Sequence, residues 1–376
     1  MAPVQVAGRK RDKRQEARAI KRVWIYFLSM SLLAFPAAAH HSFTLNFDMS
    51  RQMELRGTVV DFKLRSPHSS MVIDGQIFEE GEPVGEIERW EVESSAAGGL
   101  RAMGIQSDTF QPGDAITLIA NPNREAEFRF VNSSTFIMDG QTFSRANISP
   151  PERVSESDLS GIEGLQRLEG RWSSPGGFGQ GTPLALNERG QELADAFDPK
   201  LSPANTCEPM NFPDMFNAPY LFDLRIEDDT AVLYNVPWEV ERRIPLNGQP
   251  TRPRLDGLFG VVMGSIEGNS IVLESGGYIP SRWGLGSATQ KLGGGVDIPS
   301  SARKRLMERF SVSDDGQTLI YEYTIADPAY LAEPYNGVHE LSRVADSTPL
   351  YDYDCEVEAA SMFSRSASDP GLQIGD

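Results

Sequence analysis

Four histidines and two cysteines hold most of the chemistry this 376-residue chain can offer. Two of the histidines, His40 and His41, are adjacent in "FPAAAHHSFTLNF", directly behind a run of alanines. If the chain is cut between Ala39 and His40, His40 carries two nitrogen donors, its free α-amine and ring Nδ1, which can chelate one metal ion. A second histidine then completes a three-nitrogen T shape, a histidine brace, which suits the tetragonal preference of Cu(II) and its place at the top of the affinity order for nitrogen donors. His41 is an awkward second ligand for a brace, although its amide and ring could form a different chelate with the terminal amine. His68, in "LRSPHSSMVID", is the better partner, because Pro67 stiffens the loop that presents it. Asp48 or Glu54 could add an oxygen, but no spacing requires either. Zinc fits less well, since only nitrogen donors are evident. His339, in "NGVHELSR", reads as a surface histidine. The plain alternative is a polar, frayed terminus with no ligand.

The segment ahead of the histidines reads as a secretion signal, residues 1–39. A basic stretch, "RKRDKRQEARAIKR", precedes the apolar run Val23–Phe35 of 13 residues. That run is too short for a bilayer span of about 20 residues and suits a signal-peptide core. Pro36 ends it, and Ala37 and Ala39 supply the small side chains of a cleavage site. The expectation is export to the periplasm or beyond with cleavage after Ala39; an uncleaved N-terminal anchor is the alternative. No later run approaches membrane length.

Eight of the 35 Lys and Arg and two of the 53 Asp and Glu lie in this leader, so the remaining chain has a net charge near −24. Such a charge repels phosphate backbones and anionic lipid, which argues against a nucleic-acid partner and fits a protein that attracts cations. The only cysteines are Cys207 and Cys355. In an oxidising compartment two distant cysteines point to a disulfide, here closing a loop of about 150 residues.

The elements that must position these residues are short alternating runs between turn signals, so the fold class is mainly β. Residues 40–150 carry "ELRGTVVDFKL", "SSMVIDG", "EIERWEVES", "AITLIANP" and "STFIMDG", with a helical patch, "AAGGLRAMGI", between the third and fourth. Five strands with that helix match the order of an OB-like five-stranded barrel. Gly57 marks a bulge or tight bend. Basic residues interleaved with exposed aromatics are missing, so the barrel reads as scaffold. Residues 151–164 are acidic and polar, a linker. Residues 165–361 form a second β-rich domain with hairpin turns at Glu-Asp-Asp, Asn-Gly and Asp-Asp-Gly and one helix, "NERGQELADAF". Its opening Gly170-Arg171-Trp172 looks like the G-x-W start of lipocalin-like barrels, with a sandwich as rival. Residues 362–376 read as a disordered tail.

The run from "AHHSFTLNF" through "GTVVDFKLRSPHSSMVID" to "GDAITLIANP" resembles an uncharacterised family of small exported bacterial proteins. Its members share a His-His-Ser-Phe start, a Gly-Thr-Val strand and an Asn-Pro-His turn, here Ser66-Pro67-His68. The resemblance covers roughly residues 38–147 and implies export and the histidine set, without naming a reaction. "CEPMNFPDMFNAPYLFDL", "ERFSVSDDGQTLIYEYTIADP" and "YDYDCE" resemble a β-rich domain of unknown function in exported bacterial proteins, over about residues 170–357.

Signatures of catalysis are thin: the chain has no G-x-S-x-G elbow, HExxH, P-loop or G-x-G-x-x-G. "KLGGGVDIP" sits among β signals and reads as a flexible loop. The balance leans away from an enzyme, toward an exported binding module with copper as its best-motivated ligand. The alternative is a protein that binds a small apolar ligand or a protein partner through its second β domain.

Overall fold

In the computed structural model, residues 46–148, 153–175, 184–252 and 257–366 are described, all within one compact unit, residues 39–376. The leader, His40, His41 and the last ten residues lie outside the described residues. The chain is mainly β, as its alternating runs predict. Among the described residues no helix is long and apolar enough to cross a membrane.

The first sheet contains β1 (Met53–Lys63), β2 (Ser70–Glu79), β3 (Glu82–Glu93), β4 (Ala115–Pro122), β5 (Phe130–Met138) and β6 (Gln141–Ser144). β1 lies between β2 and β4, β2 pairs with β3, and β4 pairs with β5. A parallel pairing of β3 with β5 closes the ring β1-β2-β3-β5-β4. With the helix Ala97–Ala102 between β3 and β4, this is the expected OB-like order, and β6 is a sixth strand added to β5. Leu55, Val59, Ile73, Val92, Leu118 and Phe136 fill the barrel. Gly57 is not at the bulge the sequence suggests. It faces Gly75, where a Cβ would meet Asp74 O at 2.4 Å, so it permits two backbones to approach; the register shift lies between Val59 and Asp61. Beyond Gly75 the β2–β3 hairpin extends past the barrel. There β3 carries Pro83, Glu82, Glu86 and Glu88, residues that blunt an exposed edge against pairing with another chain.

The second sheet has nine antiparallel strands: β7 (Gly170–Ser173), β8 (Leu221–Glu227), β9 (Thr230–Asn235), β10 (Val240–Pro245), β11 (Val261–Glu267), β12 (Ser270–Gly276), β15 (Arg305–Val312), β16 (Thr318–Ala326) and β17 (Tyr335–Val344). A separate pair is β13 (Ser281–Gly286) with β14 (Ile298–Ser300). The order runs β10-β9-β8-β7-β17-β16-β15-β12-β11, and the chain after β10 reaches across to the other edge. Gly248 and Thr251 donate to Gly264 O and Val262 O, each at 2.9 Å, so the sheet is a nearly closed barrel. Trp172 of the G-x-W motif is fully buried. The Arg343 guanidinium lies 4.1 Å over its ring and donates to the carbonyls of Glu169 and Gly316. The stretch expected as a linker carries a short helix, Glu156–Leu159, and meets this sheet through a hydrogen bond from Gln317 to Val154 O. At the other end, the helix Val357–Ser366 runs past Ser361, where a disordered tail was expected.

The barrel interior is filled from within the chain. Phe212 and Phe216, on the segment between Cys207 and β8, pack against Phe222, Phe259, Phe310 and Tyr321. Buried Asp214 on that segment accepts from Ser287 N at 2.7 Å and Leu292 N at 3.3 Å and so holds the glycine-rich stretch in place. That stretch is packed, contrary to the flexible loop its composition suggests: a Cβ at Gly293 would lie 1.8 Å from Ser287 O. Deeper in, Arg242 and Glu308 form a bidentate pair at 3.0 Å, with Tyr321 also donating to Glu308. Lys304 is fully buried and donates to Phe212 O and Gly284 O; burial pushes its ammonium down to about 7.

Two outcomes follow from this interior. A Gly293→Ala variant loses about 3 kcal/mol of unfolding free energy by denaturant titration, because backbone must shift to admit the methyl group. Lys304 is protonated in the unfolded chain well above the pH at which it ionises in the fold. It therefore makes stability rise with pH above about 7, by up to about 1.4 kcal/mol per unit. Lys304→Met removes that contribution, and the difference between the two proteins' stability slopes from pH 7.5 to 9 measures it.

Candidate functional site

β1 ends at Lys63 and β2 starts at Ser70, and the loop between them carries His68. Short-range polar contacts fix this loop. Ser69 Oγ donates to Arg65 O and accepts from Arg65 N, closing the turn on itself. Ser69 N donates to Ser95 O, Ser94 N to Ser69 O, and Ala97 N to Arg65 O, at 2.9–3.1 Å. The loop is thus sewn to the chain that leaves β3, and the register that follows pairs Ser70 with Glu93.

Glu93 is the last residue of β3. Trp90 and Val92 point into the barrel, and Glu93 has the opposite parity, so alternation alone would leave it in solvent. It is fully buried instead, because the parallel pairing sets it against Asn132 of β5 and the 64–69 loop lies beside it. Asn132 Nδ2 donates to the Glu93 carbonyl at 3.3 Å. His68 Nδ1 stands 3.1 Å from Glu93 Oε1, with the imidazole 22% exposed. The two atoms lie within ion-pair distance, but their alignment does not make a hydrogen bond, and both are buried. Burial pushes the Glu93 carboxyl up to about 8. The contact turns the Nδ1 edge of His68 toward Glu93 and leaves Nε2 as the nitrogen away from the carboxyl group.

The loop is also gripped from the second sheet's side. Ser66 forms a parallel bridge with Cys355, and Glu356 N donates to Ser66 O at 2.9 Å. The Arg65 guanidinium, 5% exposed, meets Glu358 at 2.9 Å and Glu356 at 3.3 Å. Cys355 is bonded to Cys207 in the expected disulfide.

Other sequence candidates are placed as follows. His40 and His41 lie outside the described residues, six and five positions before Asn46. Asp48 accepts from Ser50, which holds its carboxyl below the usual range, and Glu54 is paired with Arg56, so both expected oxygen donors are engaged locally. Among the described residues no three His, Cys, Asp or Glu side chains form a metal-binding group. His339 is not a surface histidine: it lies on β17, stacks on Tyr321 and Tyr323, and burial drives its imidazole down to about 4. Sequence reasoning missed Glu93. The only signal for it was a carboxylate at a strand end, of which this acidic chain has many.

No curated protein matches the chain. Residues 29–131, which contain the three candidate histidines and Glu93, match the model of a family of unknown function (DUF6152).

Proposed function

We propose that this chain is an exported metal-binding module, and that His68, oriented by Glu93, joins His40 or His41 to hold one copper(II) ion. One observation carries the reading: a histidine on a pinned loop whose Nδ1 stands 3.1 Å from a fully buried carboxyl group that has no hydrogen-bond partner among the described residues. Carboxylate–histidine pairs of this kind orient ligating imidazoles and raise their basicity. As a purely structural device the pair would be costly, since a buried carboxyl needs compensation.

The reach of the chain supports the pairing of residues. Phe47 is buried, forms a bridge with Asn123, and packs its ring 5.1 Å from that of Phe130. Phe130 begins the same β5 segment whose Asn132 pairs with Glu93. The described chain therefore enters beside the β3–β5 seam, close to the residue that orients His68. Six residues extend to at most about 20 Å, which is the reach the His40 amine and ring have from this point. Copper is favoured over zinc because the donors are amine and imidazole nitrogens. The mature charge near −24 draws cations to the surface without choosing among them.

The rival reading, a small apolar ligand in the second barrel, finds its volume taken. Phe212, Phe216, Phe222, Phe310 and Tyr321 occupy the interior, and a ligand would have to displace them.

The test uses protein recovered from an exporting host with no tag at its N-terminus. Native mass spectrometry is expected to show a chain starting at His40 with about one added copper. In competition titrations Glu93→Gln weakens copper binding by about 10- to 100-fold, His68→Ala weakens it further, and a form retaining an extra Met before His40 loses tight binding. Equal affinity for all four proteins would sink the reading.

A further inference from the structure

We propose that the Cys207–Cys355 disulfide is a redox-controlled clamp on the His68 loop. The juxtaposition that carries it is the strap Cys355–Glu358, tethered at one end by the disulfide and laid along Arg65 and Ser66 of the first barrel. The inference deepens the metal-binding reading and rests on it for its consequence, while the mechanical step stands on these contacts alone.

Three features make the strap a clamp and not a passive crosslink. First, it grips with backbone and charge together: Glu356 N donates to Ser66 O, while Glu356 and Glu358 both meet the Arg65 guanidinium. Second, the grip is unequal. Arg65 is 5% exposed, whereas Glu356 and Glu358 are 52% and 55% exposed, so the carboxylates can return to water at little cost and the guanidinium cannot. When the strap leaves, the guanidinium keeps, among the described residues, only its hydrogen bond to Ser70 Oγ, and a buried charge with no counter-charge is strongly unfavourable, so Arg65 has to move. Third, Arg65 is joined to the site it would disturb. Its backbone is bonded to Ser69 and to Ala97, and His68 lies between Arg65 and Ser69 in the chain. Loss of the strap is thereby passed to the contact between His68 and Glu93.

Both cysteines are half-buried, within reach of a reductant. The switching reaction is thiol–disulfide exchange with a dithiol. A thiolate of the dithiol attacks one sulfur, the Cys207–Cys355 bond breaks, and a mixed disulfide forms. The second thiol of the reductant then displaces the remaining sulfur. Two electrons and two protons pass to Cys207 and Cys355, and the dithiol becomes a disulfide. Cys207 stays with its own turn, whose carbonyl accepts from Trp238, and Cys355 is free to move with the first residues of the strap, while the helix Val357–Ser366 keeps its packing on the turn Pro203–Thr206. Upstream of the strap, Tyr353 remains anchored on Trp238 and Tyr220, and downstream Ala359 and Ala360 stay buried, so the opening is confined to Asp354–Glu358.

The experiment compares the mature full-length protein, oxidised and after treatment with a dithiol, without any metal. Amide hydrogen exchange at Glu356 is expected to accelerate at least tenfold on reduction, and the His68 ring proton signals to shift, while amides of β15 and β16 keep their protection. Arg65→Met, with the disulfide intact, is expected to move the His68 signals in the same direction. Unchanged exchange at Glu356 would overturn the clamp. So would loss of protection throughout the second sheet, which would make the bond a stability crosslink only. Copper(II) titration of the thiol-free variant Cys207→Ser/Cys355→Ser then reads the consequence, with at least tenfold weaker binding expected. A clamp that opens in a protein that binds no copper in either form supports the mechanical step and removes the metal reading.

Discussion

The parallel pairing of Glu91–Glu93 with Phe130–Asn132 is the constraint on which the candidate site depends. Every other pairing in the first sheet is antiparallel and joins strands that could lie in an open sheet. This one turns the sheet into a ring, and it does so at the point where β3 would otherwise end in solvent. Closure removes water from both sides of Glu93, which puts an acidic side chain of outward parity into a dry environment. The same pairing draws the β1–β2 loop over the seam through the Ser69–Ser94 and Ser69–Ser95 hydrogen bonds. His68 meets Glu93 because the barrel is closed, and an open sheet with the same residues would leave the two apart.

Two barrels in one compact unit treat buried charge in opposite ways. In the second, Glu308 is matched by both arms of the Arg242 guanidinium and by the Tyr321 hydroxyl, and the surrounding rings seal the group from water. Such a network is fully used in holding Phe212 and the segment that plugs the barrel, over which Arg242 also stacks at 3.8 Å. In the first, Glu93 lies at the rim, and the partner it meets is a single imidazole that keeps part of its surface in water. A buried pair with one exposed member can respond to a ligand; a buried pair with none can only stabilise. That difference in position, more than any difference in residue type, directs attention to the rim.

Much of this was legible in the residues. The order of five strands and a helix, the disulfide and the G-x-W tryptophan each depend on local pattern or on simple counting, and each is present. Glu93 and Glu308 were not legible, because Glu239 and Glu241 look the same in sequence; burial of a carboxylate is decided by strands distant in the chain. The packed glycine-rich stretch was misread for a related reason. Composition reports that glycines permit freedom, while Gly286 and Gly293 use the missing Cβ to bring backbones together. His339 reads as a surface residue from its remoteness from the other histidines, and the parity that turns it toward Tyr321 and Tyr323 is fixed only by the pairing of β17 with β16.

The strap explains why the two barrels belong in one chain. An OB-like barrel of this size has its own core, and the loop bearing His68 is already tied to β3. Alone, however, that loop would leave the Arg65 guanidinium to find water or a chance partner at the rim. The chain that follows the second sheet supplies two carboxylates to it at a distance of almost three hundred positions along the sequence. Ordering so remote a segment carries a large chain-entropy cost, which the 148-residue crosslink between Cys207 and Cys355 reduces by limiting the unfolded ensemble. The disulfide therefore acts on the first barrel although both of its cysteines lie in the second part of the chain. The geometry at His68 is in this sense a property of the whole molecule, set by closure at the β3–β5 seam on one side and by the strap on the other.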